Sequence, residues 1–294
     1  MLLFAVAALL LFVPLPIPPT YAGRTIENAG HTPLFFLVTM AAFLMLRDRS
    51  EFDGWKLYAA AGVIGIGLGL LSEIVQRPLA RDASWEDVGA DAIGAMGAVA
   101  AYALFDPRPA RRNLRRLIAL LVAVGCLAVY LSPIYTMARA YLHRNSQFPV
   151  IASFHSRTEL YWTLSIGVRR EIINGALEVE FVAEQWPGLG FHEPVPDWRS
   201  FHRLVLDLEN PAVEPLELGV RVHDADHNWK YNDRFNRHYD FAASERRTVK
   251  IELDDIRRAP RSRPMDLERI SNITLYRSGP NGSRRLRIHS IRLE

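Results

Sequence analysis

Apolar residues follow two different rhythms along this chain, and the change comes near residue 140. Before it, five apolar runs are separated by short polar links: residues 1–17, 31–46, 57–74, 88–105 and 117–138. A helix needs about 20 residues, within a range of about 17–25, to cross a bilayer. The runs therefore predict about five transmembrane helices. After the change, apolar and polar positions alternate, as in Leu204, Leu206 and Leu208, then Leu216, Leu218, Val220 and Val222. The same holds for Val249, Ile251 and Leu253, for Ile273 and Leu275, and for Leu286, Ile288, Ile291 and Leu293. Period two with one apolar face is the pattern of half-buried antiparallel strands. The slip between Ile288 and Ile291 predicts a β-bulge. Turn residues such as Asn210-Pro211 and Pro280-Asn281-Gly282 separate some of these strands. The predicted fold class is an α-helical membrane bundle, residues 1–140, followed by an all-β sandwich, residues 143–294.

Composition changes this picture little. The 294 residues include 35 Lys and Arg against 32 Asp and Glu, a formal charge of +3. That is too small to predict a nucleic-acid partner. The mean hydropathy is near zero only because it averages two unlike halves. The single cysteine, Cys126, lies in an apolar run and excludes an internal disulfide or a cysteine-based metal site. There is no nucleophile motif or glycine-rich phosphate loop. "GIGLGL" lies within an apolar helix rather than after a strand, so it is no dinucleotide fingerprint. The expectation is a protein without cofactor or dedicated metal site.

Charge does fix an orientation. Arg47, Arg49 and Lys56, and then Arg108, Arg111, Arg112, Arg115 and Arg116, fill two of the links. The opposite links hold only Arg24, Arg77 and Arg81. The positive-inside rule puts the richer set in the cytoplasm. The N-terminus is then cytoplasmic, and five crossings place the sandwich outside. The first run, "MLLFAVAALLLFVPLPIPPTYAG", is read as a retained helix, because it lacks a basic start and ends in prolines. The alternative, a signal cut after Ala22, would still export the downstream chain.

The chemistry-bearing residues of the first half gather at the outward helix ends. Glu73 and Arg77 share a face at i, i+4, as do Asp87 and Asp91. Ser84, Glu86 and Asp87 read as a helix start, with acids at the positive end of the dipole. That role accounts for Glu86 but not for Glu73 or Asp91, which lie inside apolar sequence. Acids at such positions face bundle interiors and are functional candidates. His31, Glu73, Gln76, Arg77, Arg81, Asp87 and Asp91 are therefore predicted to form one polar pocket at the outer leaflet. Ala61, Gly65 and Gly69, and Ala90, Gly94 and Ala98, form small-residue stripes that predict close packing of the third and fourth runs.

The order of His31, "SEIVQ", Arg81 and "SWEDVGADAIGAMGA" resembles the VanZ-like membrane family over about residues 20–105. The matching positions are His31, Glu73, Gln76, Arg81, Asp87 and Gly94; the family usually has Asn near the position of Asp91. The family takes its name from a protein linked to resistance to the glycopeptide antibiotic teicoplanin. The resemblance implies a helical membrane fold in the bacterial inner membrane and a cell-envelope setting, not a reaction.

In the second half, "HDADHNWKYNDRFN" (223–236) concentrates aromatic and planar polar groups. Sugar sites combine the two, and Asp224, His227, Tyr231, Asp233 and Arg234 are the glycan-binding candidates. Asp224, Asp226 and Asp233 could instead hold Ca²⁺ through oxygen, and a solvated hairpin with internal Arg–Asp pairs is the plainer alternative. Trp162, Trp186 and Trp198 are assigned to packing. The segments "ASFHSRTELYW", "WPGLGFHEPVPDWRSFHRLVLDLENP", "LGVRVHDADHNWKYNDRFNRHYDF" and "RTVKIELDDIRRA" resemble the galactose-binding-like jelly rolls of carbohydrate-binding modules. The implied partners are a polysaccharide or peptidoglycan outside, and a membrane lipid or lipid-linked glycan at the bundle. Two further readings stay open: an outer-leaflet enzyme using His31, Glu73, Arg81 and Asp87 on a lipid-linked substrate, and a structural anchor for a partner-binding module.

Overall fold

The computed structural model describes residues 20–49, 51–52, 54–76, 85–107, 112–182, 187–278 and 282–294, without the side chains of Glu73, Gln76 and Arg112. The chain divides into two compact units, Met1–Ala138 and Arg139–Glu294.

The first unit is helical. Its described helices are α1 (Tyr21–Leu46), α2 (Trp55–Gln76), α3 (Trp85–Phe105) and α4 (Arg112–Gln147). Each contains a stretch long and apolar enough to cross a membrane, so the described residues hold four candidate spans. The first predicted run, residues 1–17, lies outside the described residues, so its reading as a retained helix or a signal is left there. Two boundaries differ from the sequence expectation. Helix α1 starts ten residues before His31, because Thr20 caps it, accepting from the Gly23 N–H at 2.9 Å. Polar residues such as Arg24, Glu27 and Asn28 therefore continue the helix, and His31 sits in mid-helix rather than at a helix end. Helix α4 continues past residue 138 to Gln147 with Pro133 inside it.

Small residues let α1, α2 and α3 approach closely. A Cβ on Gly94 of α3 would lie 2.2 Å from the Thr32 carbonyl oxygen of α1, so that contact admits only glycine. Gly69 of α2 faces α3, where a Cβ would lie 2.8 Å from Asp91 Oδ2. At another part of the bundle, Phe43 stacks on Tyr102 at 4.1 Å. Beside them, Tyr58 donates a short hydrogen bond to Asp106, and the Arg115 guanidinium lies 4.5 Å above the Tyr58 ring.

The second unit is a sandwich of two antiparallel sheets. One contains β3 (Val168–Ile173), β4 (Ala176–Phe181), β11 (Arg285–Leu293), β6 (Arg203–Glu209) and β9 (Arg246–Glu252) in that order, with β1 (Val150–Ala152) also pairing to β11. The other runs β2 (Thr163–Ile166), β5 (Gly188–His192), β10 (Ile270–Arg277), β7 (Leu216–Asp224) and β8 (Phe235–Phe241). The alternating residues read from the sequence face each other across the sandwich, and Leu204, Leu206, Leu208, Val220, Val222, Ile273, Leu275 and Ile288 are fully buried. Burying each such side chain contributes about 1.5–3 kcal/mol. The predicted bulge is present: the β11 register shifts between Ile288 and Ser290, which returns Ile291 to the core. The last turns of α4 belong to this unit. Tyr141 donates to Glu193 Oε2 at 2.6 Å, and Arg144 donates to the Glu193 carbonyl at 2.7 Å.

Candidate functional site

In the helical unit, the packing of α1 against α3 brings His31 to Asp91. His31 Nδ1 lies 3.0 Å from Asp91 Oδ1, and the Thr32 hydroxyl donates to the Ala90 carbonyl at 3.1 Å. Asp91 is 1% exposed. Among the described residues its Oδ2 has no hydrogen-bond partner, and the same is true of Asp87 Oδ1 one helical turn earlier. Asp87 is close enough to His31 and Asp91 to interact with both electrostatically. A buried carboxylate oxygen without a donor costs free energy. Glu73 and Gln76 lie at the end of α2 with side chains outside the description, and Arg77 and Arg81 lie outside the described residues. The structure thus joins His31, Asp87 and Asp91.

In the sandwich, the loop after β7 folds around a residue that sequence reasoning did not select. Arg263 forks onto two carboxylates. It reaches Asp224 at 2.5 and 2.7 Å, and Asp233 at 2.9 and 3.1 Å. Asp224 also accepts the Asp266 N–H at 2.8 Å, and Asp233 accepts the Asn228 N–H at 2.9 Å. Burial by itself would raise the Asp224 pKa, but Arg263 and the Asp266 N–H outweigh it and hold this carboxyl below its usual range. Arg263 does the same to Asp233, and its own pKa is raised in return. Both aspartates are buried with every oxygen engaged, so they shape the loop rather than face solvent. Asp226 pairs separately with Arg269 at 2.9 Å. No group of three or more potential metal ligands occurs among the described residues.

The clamp presents aromatic groups. His227 Nδ1 is 2.9 Å from the Asp233 carbonyl oxygen, and its ring lies 4.5 Å from His223. Desolvation lowers the His223 pKa to about 4, so this ring is neutral at physiological pH. Trp229 lies 5.5 Å from His227 and is 83% exposed. Its φ of +64° is a left-handed conformation that costs a bulky residue energy and recurs at functional loops. Tyr231 is exposed, with the Arg234 guanidinium 5.1 Å above its ring.

This loop borders the outer face of the β2–β5–β10–β7–β8 sheet. Since Val220, Val222, Ile273 and Leu275 point into the core, their neighbours Gly219, Arg221, Thr274 and Tyr276 point out. Gly219 pairs directly with Tyr276, and a Cβ there would lie 2.2 Å from the tyrosine ring. The missing side chain lets Tyr276 lie flat on the sheet. Arg221 covers that ring at 5.2 Å, and His238 Nε2 is 3.0 Å from its hydroxyl. Beyond Arg221 lies Asn236, its direct partner on β8. Tyr231, Asn232, Arg234, Asn236, Ala259 and Arg261 then line an open groove of about 330 Å³.

Of the sequence candidates, Tyr231 and Arg234 line this groove, His227 braces the loop, and Asp224 and Asp233 form the clamp. Arg221, Tyr276 and Arg263 were missed, and Asn236, inside the quoted loop, was not among the glycan-binding candidates. Arg221, Asn236 and Tyr276 carry an alternation signal, since each is a polar or aromatic residue on the outward register of a strand. Arg263, in an irregular segment, carries none. Trp198 is fully buried and Trp162 nearly so, and Trp186 lies outside the described residues.

No protein-family model matches the chain, and no curated protein matches it. Among solved structures the chain is similar to a family 11 carbohydrate-binding module from Clostridium thermocellum in complex with a β-1,3-1,4-mixed-linked tetrasaccharide. The identity is 14%, covering 49% of this chain and 93% of that one, with a TM-score of 0.40. It is also similar to an agarase, AgWH50C, at 14% identity over 49% of this chain and 24% of that chain, with a TM-score of 0.41. A third likeness is to PfGH50B, at 19% identity over 45% of this chain and 22% of that chain, with a TM-score of 0.37. The chain spans less than a quarter of the length of the last two. At these identities and scores, no ligand passes to this chain from the likeness.

Proposed function

We propose that this chain is a membrane-anchored recognition protein whose sandwich binds a glycan of the cell envelope. The observation that carries this reading is the outer sheet face with its bordering loop. There, exposed Tyr231 offers a flat apolar surface in the groove with the planar polar groups of Arg234 and Asn236, Arg221 adjoins Asn236, and exposed Trp229 stands on the same loop. Sugar rings present apolar faces and radiating hydroxyls, so stacking plus bidentate hydrogen bonding is the matching chemistry. Asp224, Asp233 and His227 serve this site by fixing the loop. The candidate spans anchor it, and the arginine-poor links are the outer ones, which puts the sandwich outside a bacterial inner membrane with a cytoplasmic N-terminus. The bundle is VanZ-like in this reading, and a lipid headgroup or lipid-linked glycan is its partner.

The test is binding of the detergent-purified chain to a panel of polysaccharides and peptidoglycan fragments. Binding lost on Trp229→Ala or Tyr231→Ala supports the reading, and no binding to any glycan sinks it. A reporter fused after Glu294 checks the compartment, and a cytosolic signal contradicts the export.

A second reading is favoured by one specific observation, the bare Oδ2 of buried Asp91 beside His31. Here the bundle performs acid–base chemistry on an outer-leaflet substrate, with His31 and a neighbouring carboxylate as the exchanging groups. Asp91→Asn or Glu73→Ala with folding and glycan binding intact, but the cellular phenotype lost, would favour it.

A further inference from the structure

We propose that the glycan bound at the sandwich is anionic, carrying carboxylate, sulfate or phosphate groups that Arg221, Arg234 and Arg261 hold. The inference rests on the glycan reading above and specifies its ligand class.

The reasoning is a charge account of one face. Several arginines of this sandwich have carboxylate partners: Arg203 with Glu252 at 2.6 Å, Arg237 with Asp255 at 3.0 Å, Arg246 with Asp207 at 2.7 Å, and Arg287 with Glu209 at 2.8 Å. Arg221 and Arg234 have none among the described residues. Each is half-buried, and each Nε is wholly buried without a hydrogen-bond partner. Their nearest polar surroundings are aromatic, with Arg221 over Tyr276 and Arg234 over Tyr231. The two cations also face one another closely enough to repel. Burial without a counter-charge makes it harder for both to stay protonated, and both pKa values are lowered accordingly. Arg261 is exposed on the groove wall and adds a third cation.

The acids of this face and loop do not pair with them. Glu217, on the same sheet face, lies 3.5 Å from His238. Asp226 is held by Arg269. The clamp of Asp224, Asp233 and Arg263 leaves one unbalanced carboxylate, but its oxygens are spent on Arg263 and backbone N–H groups. The groove therefore keeps a surplus of positive charge with unmet donors. A neutral sugar hydroxyl supplies an acceptor but no charge. A carboxylate, sulfate or phosphate supplies both, and guanidinium groups match its geometry. Asn236 Oδ1, also buried without a partner, is left to accept from a sugar hydroxyl.

The experiment compares matched probes on the full chain in detergent: polygalacturonate fragments against galactan fragments, and carboxymethylated against plain cello-oligosaccharides. The expected result is tighter binding of the anionic member of each pair by about tenfold or more, weakening steeply with salt. The double substitution Arg221→Gln, Arg234→Gln should abolish that preference, while Lys250→Gln on the opposite sheet should not. Neutral members binding as well as the anionic ones, with the double variant unaffected, overturns the anionic inference and leaves the glycan reading standing. Binding to no probe of either kind, together with a silent wider panel, overturns both.

Discussion

The two units each bury carboxylates, and they treat them oppositely. In the sandwich, Asp224 and Asp233 close around Arg263 until no oxygen is left without a donor. In the helical unit, Asp91 is as deeply buried, yet among the described residues its side chain has a hydrogen bond to His31 at Oδ1 and none at Oδ2. A fully satisfied network rigidifies what surrounds it, whereas a half-satisfied one is an unmet demand that the fold alone does not answer. The first braces its loop, and the second is the observation behind the acid–base reading proposed above. The same contrast recurs within the sandwich, where Arg263 is saturated but Arg221 and Arg234 are not.

The largest effect should come from breaking the saturated side. Arg263→Ala removes the partner of two buried carboxylates, and stranding buried charge costs about 3–5 kcal/mol. Thermal unfolding of the sandwich followed by circular dichroism should show a much lower midpoint. Arg263→Lys should recover only part of it, because a lysine cannot fork. A variant that melts like the parent would remove the scaffold assignment.

Acidification tests the same loop from a neighbouring group. The His223 pKa is lowered from the ordinary 6.5 to about 4 by burial. The unfolded chain therefore binds a proton that the folded one refuses across that interval. Stability is whole above about pH 6.5 and falls as pH drops toward 4, by at most about 3 kcal/mol. Asp224 and Asp233, with lowered values, add their own loss only at still lower pH. His223→Gln should flatten the upper limb and leave the lower one. If the two profiles coincide between pH 4 and 6.5, His223 is not held neutral.

A smaller effect is expected on the ligand side. Gly219→Ala places a methyl group where the Tyr276 ring lies, 2.2 Å away at its nearest carbon. Overpacking of this kind costs about 1–3 kcal/mol. It should also lift Tyr276 and displace Arg221, so glycan binding should weaken more than unfolding does. Unchanged affinity in a folded Gly219→Ala chain would detach Tyr276 and Arg221 from the site.

The pattern of polar and apolar positions carried the architecture well, because burial writes directly into periodicity. Leu204 to Leu208 and Leu216 to Val222 were legible as strands, and the Ile288–Ile291 slip was legible as a bulge. β3 and β8 were not, since "VRREII" and "FNRHYDF" hold too many polar residues to alternate cleanly. β5, "GLGFH", hid behind its glycines. His31, Asp87 and Asp91 could be chosen from sequence because an ionisable residue in apolar sequence stands out. The loop was visible as a cluster, but which of its aspartates were structural was not. That depended on Arg263, thirty residues beyond Asp233, and no local rule links the two. Arg221 was legible as an outward strand residue, but its lack of a counter-ion became visible only with its neighbours in place.

The smallest expected effect on stability falls on the unsatisfied side, and that is what makes it informative. Asp91→Asn keeps a group able to hydrogen-bond His31 Nδ1 and changes only the charge and the bare oxygen. Since that oxygen makes no bond to lose, the helical unit should unfold within about 1 kcal/mol of the parent. Asp91→Ala removes the hydrogen bond to His31 as well and should cost about 1–3 kcal/mol. If Asp91→Asn proves as damaging as Asp91→Ala, the carboxylate is braced by contacts equivalent to those of Arg263. The division between a satisfied sandwich and an unsatisfied bundle would then fail. If it is silent in unfolding but alters a membrane phenotype, the bare oxygen is the part of Asp91 that works.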